Sequence, residues 1–150
     1  MAEGIFGDAV KKDVQLDGQF AAFSAGISAC DDDPASSNSI KVMKDEWGID
    51  ICSHRARRIT VKDVEASELI LAMTRGHKKA ILSMFPSAQH KVFTLKEFAA
   101  GVDADVNMEE YNFALDIMDP YGMHVNVYRL CALEIKNAVD KLIEKLKTDF

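Results

Sequence analysis

A carboxyl group on a stiff loop is the first feature of this sequence that could take part in proton transfer. Residues 116–122 read Asp-Ile-Met-Asp-Pro-Tyr-Gly. Pro120 fixes its own φ angle and biases Asp119 toward an extended backbone, and Gly122 permits a tight turn directly afterwards. The carboxyl of Asp119 is therefore expected on a rigid loop, two residues from the ring of Tyr121. A plain surface turn is the alternative, because Asp-Pro-x-Gly is a common turn sequence.

Composition and charge exclude several classes of protein. The chain has 150 residues, enough for one domain with a hydrophobic core, and its net charge of −6 gives no reason to expect nucleic acid or an anionic membrane as a partner. It shows no membrane-spanning apolar run and no signal peptide. Cys30, Cys52 and Cys131 are widely spaced and odd in number, which favours a reduced, cytoplasmic protein without a zinc site. We expect one cytoplasmic domain, residues 1–150, with no metal or other cofactor.

The first half of the chain predicts two helices and a strand. A helix is expected to start at Met1 without a capping residue, followed by a strand over 19–24. Asp33 as N-cap and Pro34 in the first position predict a second helix, which Gly48 ends. The expected inner face of the first helix consists of Ile5, Phe6 and Val10.

The second half predicts strands that alternate with helices. Thr60 with Asp63 predicts a capped short helix, residues 69–73 a strand buried on both faces, and Thr74 the cap of a helix that ends before Pro86. The further elements expected are a strand over 91–94, a helical turn over 95–99, an acidic loop over 101–112 and a long helix after Gly122. The expected inward residues are Ile81, Met84 and Phe85, then Val127, Leu130, Leu133, Val139, Leu142, Ile143 and Leu146. This alternation predicts an α/β fold with a mostly parallel sheet.

Eight short segments, in this order, carry a resemblance to a known family. They are residues 1–3, 24–26, 48–50, 53–57, 69–74, 77–78, 91–97 and 119–122. Together they resemble the low-molecular-weight protein tyrosine phosphatases, and within them the bacterial protein-arginine phosphatase branch. The resemblance runs over nearly the whole chain. It implies a three-layer α/β fold whose four-stranded parallel sheet has the order 2-1-3-4.

The resemblance also implies that part of the family pattern is absent. In the family the first strand leads into a loop Cys-x5-Arg-Ser-Pro, followed at once by Met-Ala-Glu, and this sequence begins with Met1-Ala2-Glu3. The first, central strand and the whole phosphate loop, with its nucleophilic Cys and phosphate-binding Arg, are then missing. Unpaired amides would face the gap, so we expect a homodimer or strand-swapped arrangement, or a repacked sheet.

Three residues fall at positions that have a role in the family. Asp119 matches the general acid, which protonates the leaving oxygen or nitrogen and then serves as base for the water that hydrolyses the phosphocysteine. Tyr121 matches an aromatic residue that borders the substrate. His54 falls in a segment that supports the phosphate loop from behind, and a purely structural histidine is an equal alternative.

Cys52 and Arg58 also have the spacing Cys-x5-Arg, but we do not expect them to form the phosphate loop. The residues between them include no Gly, so the backbone could not easily turn its amides onto one anion, and no apolar strand precedes them. Cys52 is expected to be a small buried hydrophobic residue. The nearby arginines are expected to form a solvated basic patch, with a grip on a phosphorylated or acidic partner as the minor alternative.

Three functions are compatible with these observations. The first is a phosphatase, acting on phosphotyrosine, phosphoarginine or a small phosphate ester, in a chain truncated at an internal Met and inactive as it stands. Similarity over residues 69–97 favours phosphoarginine. The second is a non-catalytic relative that binds a partner or self-associates. The third, an arsenate reductase relative, is disfavoured because that reaction needs extra cysteines and residues 74–85 contain none.

Overall fold

The computed structural model describes residues 1–101 and 115–149, so most of the predicted acidic loop lies outside the described residues. The chain divides into two compact units: unit 1 comprises residues 1–58 and 119–150, and unit 2 comprises residues 59–118. In chain order the elements are α1 (Ala2–Lys12), α2 (Ser37–Trp47), α3 (Val61–Ala66), β1 (Ile70–Ala72), α4 (Arg75–Met84), a 3₁₀ helix (Pro86–Lys91), β2 (Val92–Thr94), α5 (Leu95–Ala100) and α6 (Val125–Asp149). Among the helices described, none is both long and apolar enough to span a bilayer.

Unit 1 is built around α6, which packs against both α1 and α2. As predicted, α1 begins at the second residue without a side-chain cap, and it buries Ile5 and Val10. The buried face of α6 consists of Tyr128, Cys131, Ala132, Ile135, Ala138, Val139, Leu142, Ile143 and Leu146. These residues recur at helical spacing and form one continuous stripe.

Two leucines predicted for that stripe lie elsewhere. Leu130 is 67% exposed and Leu133 is 50% exposed. At 100° per residue, both positions lie about 150° around the axis from the middle of the buried face. The prediction was wrong for these two residues because they are apolar but out of phase with the stripe that the C-terminal half of the helix defines.

The start of α2 also differs from the prediction. Ser36, not Asp33, is the N-cap, and its hydroxyl accepts the N–H of Ser39. Asp33 and Pro34 are instead paired with another segment: Ala56 N–H donates to the Asp33 carbonyl over 2.8 Å, and Pro34 forms an isolated bridge with Arg55. The helix cannot begin until this pairing ends. Its predicted end at Gly48 is confirmed by a left-handed φ of 68°.

Residues 19–24 do not form the predicted strand. No strand in the described part of the chain pairs with them, and the Ser24 amide donates to the Glu3 side chain instead. A strand is defined by its ladder of hydrogen bonds to a neighbour, and apolar alternation cannot supply that neighbour.

Unit 2 contains a small parallel sheet with flanking helices, which confirms the α/β class. β1 pairs with β2 in the register Ile70 with Val92 and Ala72 with Thr94. Both strands lie within the predicted segments, although only Ala72 of β1 is buried, so this strand is more exposed than predicted. Met84, predicted to face inward, is exposed at the last residue of α4, where the chain turns into the 3₁₀ helix.

Threonine side chains cap the N-termini of α3, α4 and α5 in unit 2. Thr60 and Asp63 form the complete capping box predicted from the sequence, and Thr74 caps α4 as predicted. Thr94 and Glu97 form a second capping box at the start of α5. Each cap gives an otherwise unpaired helical amide a partner, which sets where the helix begins.

Candidate active site

The loop that carries Asp119 is a tight turn closed by its own hydrogen bonds. The N–H of Tyr121 donates to Asp119 Oδ1 over 3.0 Å, and the N–H of Met123 donates to the Pro120 carbonyl over 2.9 Å. Gly122 adopts a φ of 76°, which a residue with a side chain rarely adopts. Pro120 is buried while Asp119 is exposed. The turn therefore presents a carboxylate of fixed orientation to solvent.

A hydrogen bond from α2 helps to hold this turn in place within unit 1. The side chain of Asn38, in the first turn of α2, donates from Nδ2 to the Met123 carbonyl over 3.2 Å. On α6, burial raises the pKa of the Cys131 thiol, and the negative charges of Glu134 and Asp119 raise it further. Asp119 therefore lies within electrostatic range of the Cys131 side chain on α6.

A cleft of about 320 Å³ opens beside the turn. It is lined by Ser36, Ser37, Asn38, Tyr121, Gly122, Met123 and Tyr128. Tyr121 is 80% exposed. This ring borders an open space, which is the placement expected of an aromatic side chain that contacts a ligand.

His54 belongs to a separate polar cluster centred on Glu3. Glu3 Oε2 accepts hydrogen bonds from Ser24 N–H at 2.7 Å and from Ser24 Oγ at 2.5 Å, and it lies 3.8 Å from His54 Nδ1. The cluster joins α1 to two loop segments. Among the described residues, His54 makes no hydrogen bond to Asp119 or Tyr121. His54 was predicted from the sequence as a site residue, but its carboxylate partner Glu3 was not, although Glu3 and Ser24 both lie in segments that carry the resemblance.

Cys52 is exposed, contrary to the prediction, but its surroundings do not activate it. Asp50 accepts the Cys52 N–H over 2.8 Å. A hydrogen bond with the Asp50 carboxylate, and then its negative charge, raise the pKa of the Cys52 thiol. A nucleophilic cysteine needs the opposite, a lowered pKa beside positive charge.

The backbone between Cys52 and Arg58 also does not form an anion-binding loop. The N–H groups of His54, Ala56 and Arg58 donate to Ile51 O, Asp33 O and Asp31 Oδ1 respectively, so they are already engaged. The arginines are only partly a solvated patch, because the Arg57 guanidinium lies 4.7 Å from the centre of the Phe23 ring. The described residues contain no group of three or more His, Cys, Asp or Glu side chains placed to hold a metal ion.

Comparison with known proteins decides the family. The family model described as "Low molecular weight phosphotyrosine protein phosphatase" matches residues 1–150. The chain belongs to this family. A protein-arginine-phosphatase from Geobacillus stearothermophilus is 37% identical over 126 residues, which cover 84% of this chain and 76% of the relative.

Solved structures of the family have the same fold as this chain. A low molecular weight protein tyrosine phosphatase from T. tengcongensis is 41% identical with a TM-score of 0.81, and the match covers 96% of this chain and 88% of that one. The YwlE arginine phosphatase from Geobacillus stearothermophilus is 34% identical with a TM-score of 0.82, covering 99% and 84%. The family predicted from the short sequence segments is thereby confirmed, together with its class, the protein phosphatases among the hydrolases.

Proposed function

We propose that this protein serves the hydrolysis of phosphorylated protein side chains, with Asp119 as the proton donor. The observation that carries the proposal is the exposed carboxylate of Asp119 on a turn fixed by two internal hydrogen bonds, beside an open cleft. A general acid must be accessible and held in one orientation, and this group meets both requirements. Tyr121 is proposed to border the substrate, and His54, through Glu3, to support the phosphate loop.

The proposed reaction has two steps. A cysteine thiolate attacks phosphorus, the bond from phosphorus to the substrate oxygen or nitrogen breaks, and Asp119 gives its proton to that leaving atom. Water then attacks the phosphocysteine, Asp119 takes up the proton of the water, and inorganic phosphate and the thiolate are released. Proton transfer by such a group contributes roughly 10²–10⁴-fold to the rate.

Phosphoarginine is the proposed substrate, with phosphotyrosine as the second candidate. The relatives that are similar over most of the chain include a protein-arginine-phosphatase and a protein tyrosine phosphatase, and both classes would use the same acid. We further propose that residues 1–150 act as a single domain in the cytoplasm, which the three widely spaced cysteines support.

These 150 residues alone are proposed to be inactive. The pattern Cys-x5-Arg-Ser-Pro occurs nowhere in them, and the single Cys-x5-Arg, at Cys52, contains a thiol of raised pKa. Without a nucleophile and a phosphate-binding arginine, the proton from Asp119 supplies only a small part of the rate enhancement that hydrolysis of phosphate monoesters requires.

The experiment compares the chain with a completed form of it. Hydrolysis of phosphoarginine and of an aryl phosphate is measured for the 150 residues, and for the same residues joined at Met1 to the first strand and loop of the Geobacillus relative. We expect turnover only in the completed form, with phosphoarginine preferred. Asp119→Asn in that form should lower kcat by roughly 10²–10⁴-fold with KM nearly unchanged.

Asp116→Asn is the matched control, since it removes a carboxylate three residues away, and it should lower turnover far less. A larger effect of Asp116→Asn would show that the general acid is assigned wrongly. Turnover by the 150 residues that Cys52→Ser abolishes would contradict the proposed inactivity.

Self-association is the second candidate function, and the exposed segment 21–25 favours it. All five residues are exposed. The backbone N–H of Ser24 donates to the Glu3 side chain, whereas the other four N–H groups of the segment have no partner among the described residues. Unpaired backbone groups are a template for strand addition, so a homodimer through this segment is expected. Light scattering should then give the mass of a dimer, and Ala22→Pro should shift it toward the monomer. A monomer at every concentration would exclude this function.

A further inference from the structure

The hydroxyl of Tyr128 is the starting point, because it belongs to a buried side chain and yet has no protein partner. Tyr128 is 3% exposed and packs in a cluster with Val42 and Ala132. Its hydroxyl makes no hydrogen bond with another described residue. Among the described residues that are not exposed, every side-chain polar atom that is fully buried does have a hydrogen-bond partner. The hydroxyl is therefore not sealed in the core. Since Tyr128 is one of the residues that line the cleft, the cleft is the space onto which this hydroxyl can open.

The N-terminus of α2 faces the same cleft. The hydroxyl of Ser36 accepts the Ser39 N–H over 3.3 Å and hydrogen-bonds the Ser39 hydroxyl over 2.7 Å. The capping side chain is therefore already engaged with the third amide of the helix. The first two amides, of Ser37 and Asn38, have no partner within residues 1–101 and 115–149. Unpaired amides and the positive end of the helix dipole favour a negative charge at this point.

We propose that this cleft is an oxyanion subsite that takes a carboxylate or a phosphate group. The donors are the N–H groups of Ser37 and Asn38 and the hydroxyl of Tyr128. Of the residues that the structure describes, those lining the cleft include no acidic side chain and no Lys or Arg. Binding is therefore by hydrogen bonds and the helix dipole, and it is weakened by the charge of nearby Asp119.

The source of the anion rests on the proposed function. Tyr121 lines the same cleft. If the protein acts on phosphorylated proteins, the subsite receives an acidic side chain or a second phosphate of the substrate, next to the reacting residue. The binding of the anion itself does not depend on catalysis.

The test is a titration of the 150-residue chain, followed by the amide resonances in ¹H–¹⁵N NMR spectra. Inorganic phosphate and acetate are added separately, with chloride used to keep the ionic strength constant. We expect saturable shifts of the Ser37, Asn38 and Gly122 amides. Tyr128→Phe removes one donor and should weaken the affinity by roughly 3–10-fold.

Ser37→Pro removes a second donor without disturbing the helix. Proline is favoured in the first helical position, and Ser36 already has the φ of −61° and ψ of 146° that a residue before proline adopts. This variant should weaken the affinity by a similar factor. Ser37→Ala is its control, because it keeps the amide, and it should bind nearly as well as the unmodified chain.

The two anions distinguish the sources of the ligand. Saturation by phosphate alone assigns the subsite to a phosphoryl group, and saturation by acetate as well assigns it also to acidic side chains. Shifts that never saturate, or that persist unchanged in both Tyr128→Phe and Ser37→Pro, would overturn the proposal. Since no turnover is measured, failure here and failure of the phosphatase assay are separate results.

Discussion

Asp116 binds Arg75 through both the backbone and the side chain of the arginine. Its Oδ1 accepts the Arg75 N–H at 2.8 Å and Nε at 3.2 Å, and its Oδ2 accepts Nη2 at 3.2 Å. Arg75 is the first residue of α4, so the carboxylate also lies at the positive end of that helix. Asp116 therefore has a structural role within unit 2, which agrees with the proposal that Asp119, rather than Asp116, is the proton donor.

The first prediction is that Asp116→Asn lowers the free energy of unfolding at neutral pH by about 1 kcal/mol, a value discounted for solvent screening. The hydrogen bond to Arg75 lowers the pKa of Asp116 from its ordinary 3.8. A lowered pKa stabilises the fold above pH 3.8 and loses that contribution as the pH falls through the folded value. Urea denaturation should thus show a constant difference at pH 5–7 that shrinks below about pH 3.8.

Asp45→Asn is the control for that measurement. Asp45 pairs with Lys41 one turn away on an exposed face of α2, at 2.7 Å, and its pKa is also lowered, chiefly by that hydrogen bond. The change in stability should be clearly smaller than for Asp116→Asn. Equal effects would mean that the backbone contact to Arg75 adds nothing.

The second prediction concerns Glu97, a buried carboxylate with three hydrogen bonds. It is 5% exposed, accepts Lys78 Nζ at 2.9 and 3.1 Å, and accepts the Thr94 N–H at 2.8 Å. Glu97→Gln leaves the charge of Lys78 without its partner, so we expect a loss of about 2–3 kcal/mol in chemical denaturation.

Asp63→Asn is the matched control, because Asp63 occupies the same capping position in α3. Its carboxylate also accepts an N–H, that of Thr60 at 2.8 Å, but at an exposed site. The expected loss is only about 0.5–1 kcal/mol. If both variants lose the same amount, burial of the ion pair does not matter.

The third prediction contrasts two glycines. Gly7 lies inside α1, and a Cβ there would meet nothing within 4 Å, so Gly7→Ala should stabilise the protein by about 0.5–1 kcal/mol. Gly48 has the same open space but a φ of 68°, so Gly48→Ala should cost about 1–2 kcal/mol. Thermal unfolding should move in opposite directions, and a shift of the same sign in both would contradict the argument from φ.

The fourth prediction concerns the Glu3 cluster. Glu3→Ala removes the acceptor of the Ser24 N–H, so that amide should exchange with deuterium roughly tenfold faster, as expected for the loss of one charge-assisted hydrogen bond. Glu3→Gln retains an acceptor oxygen and should show a smaller increase. Unchanged exchange in Glu3→Ala would mean that the contact does not protect the segment.

Local signals in the sequence predicted the local features of the fold. Thr60 with Asp63 and Thr74 were identified as caps because the partner of a capping side chain lies only three residues away. Gly48 and the turn at Pro120 follow equally from the conformational limits of single residues.

Features that depend on distant partners could not be predicted in this way. Asp33 and Pro34 have the chemistry of a helix start, but their pairing with residues 55–56 moves the start to Ser36. The unpaired hydroxyl of Tyr128 depends on which side chains surround it. Of the proposed site residues, Asp119 and Tyr121 lie two positions apart in the sequence, so they could be predicted together. The contact between Glu3 and His54 joins segments about fifty residues apart and becomes visible only in the fold.

The contact between α1 and α6 has a consequence for synthesis on the ribosome. α1 is made well before α6, so unit 1 cannot bury its core until α6 has left the exit tunnel. Unit 2 is one continuous segment, and its strands are joined by a single helix and a 3₁₀ turn, so it can fold while translation continues. The nascent chain then carries the exposed apolar face of α1 from the time α1 leaves the ribosome until α6 does, and this is the interval in which a chaperone would be needed.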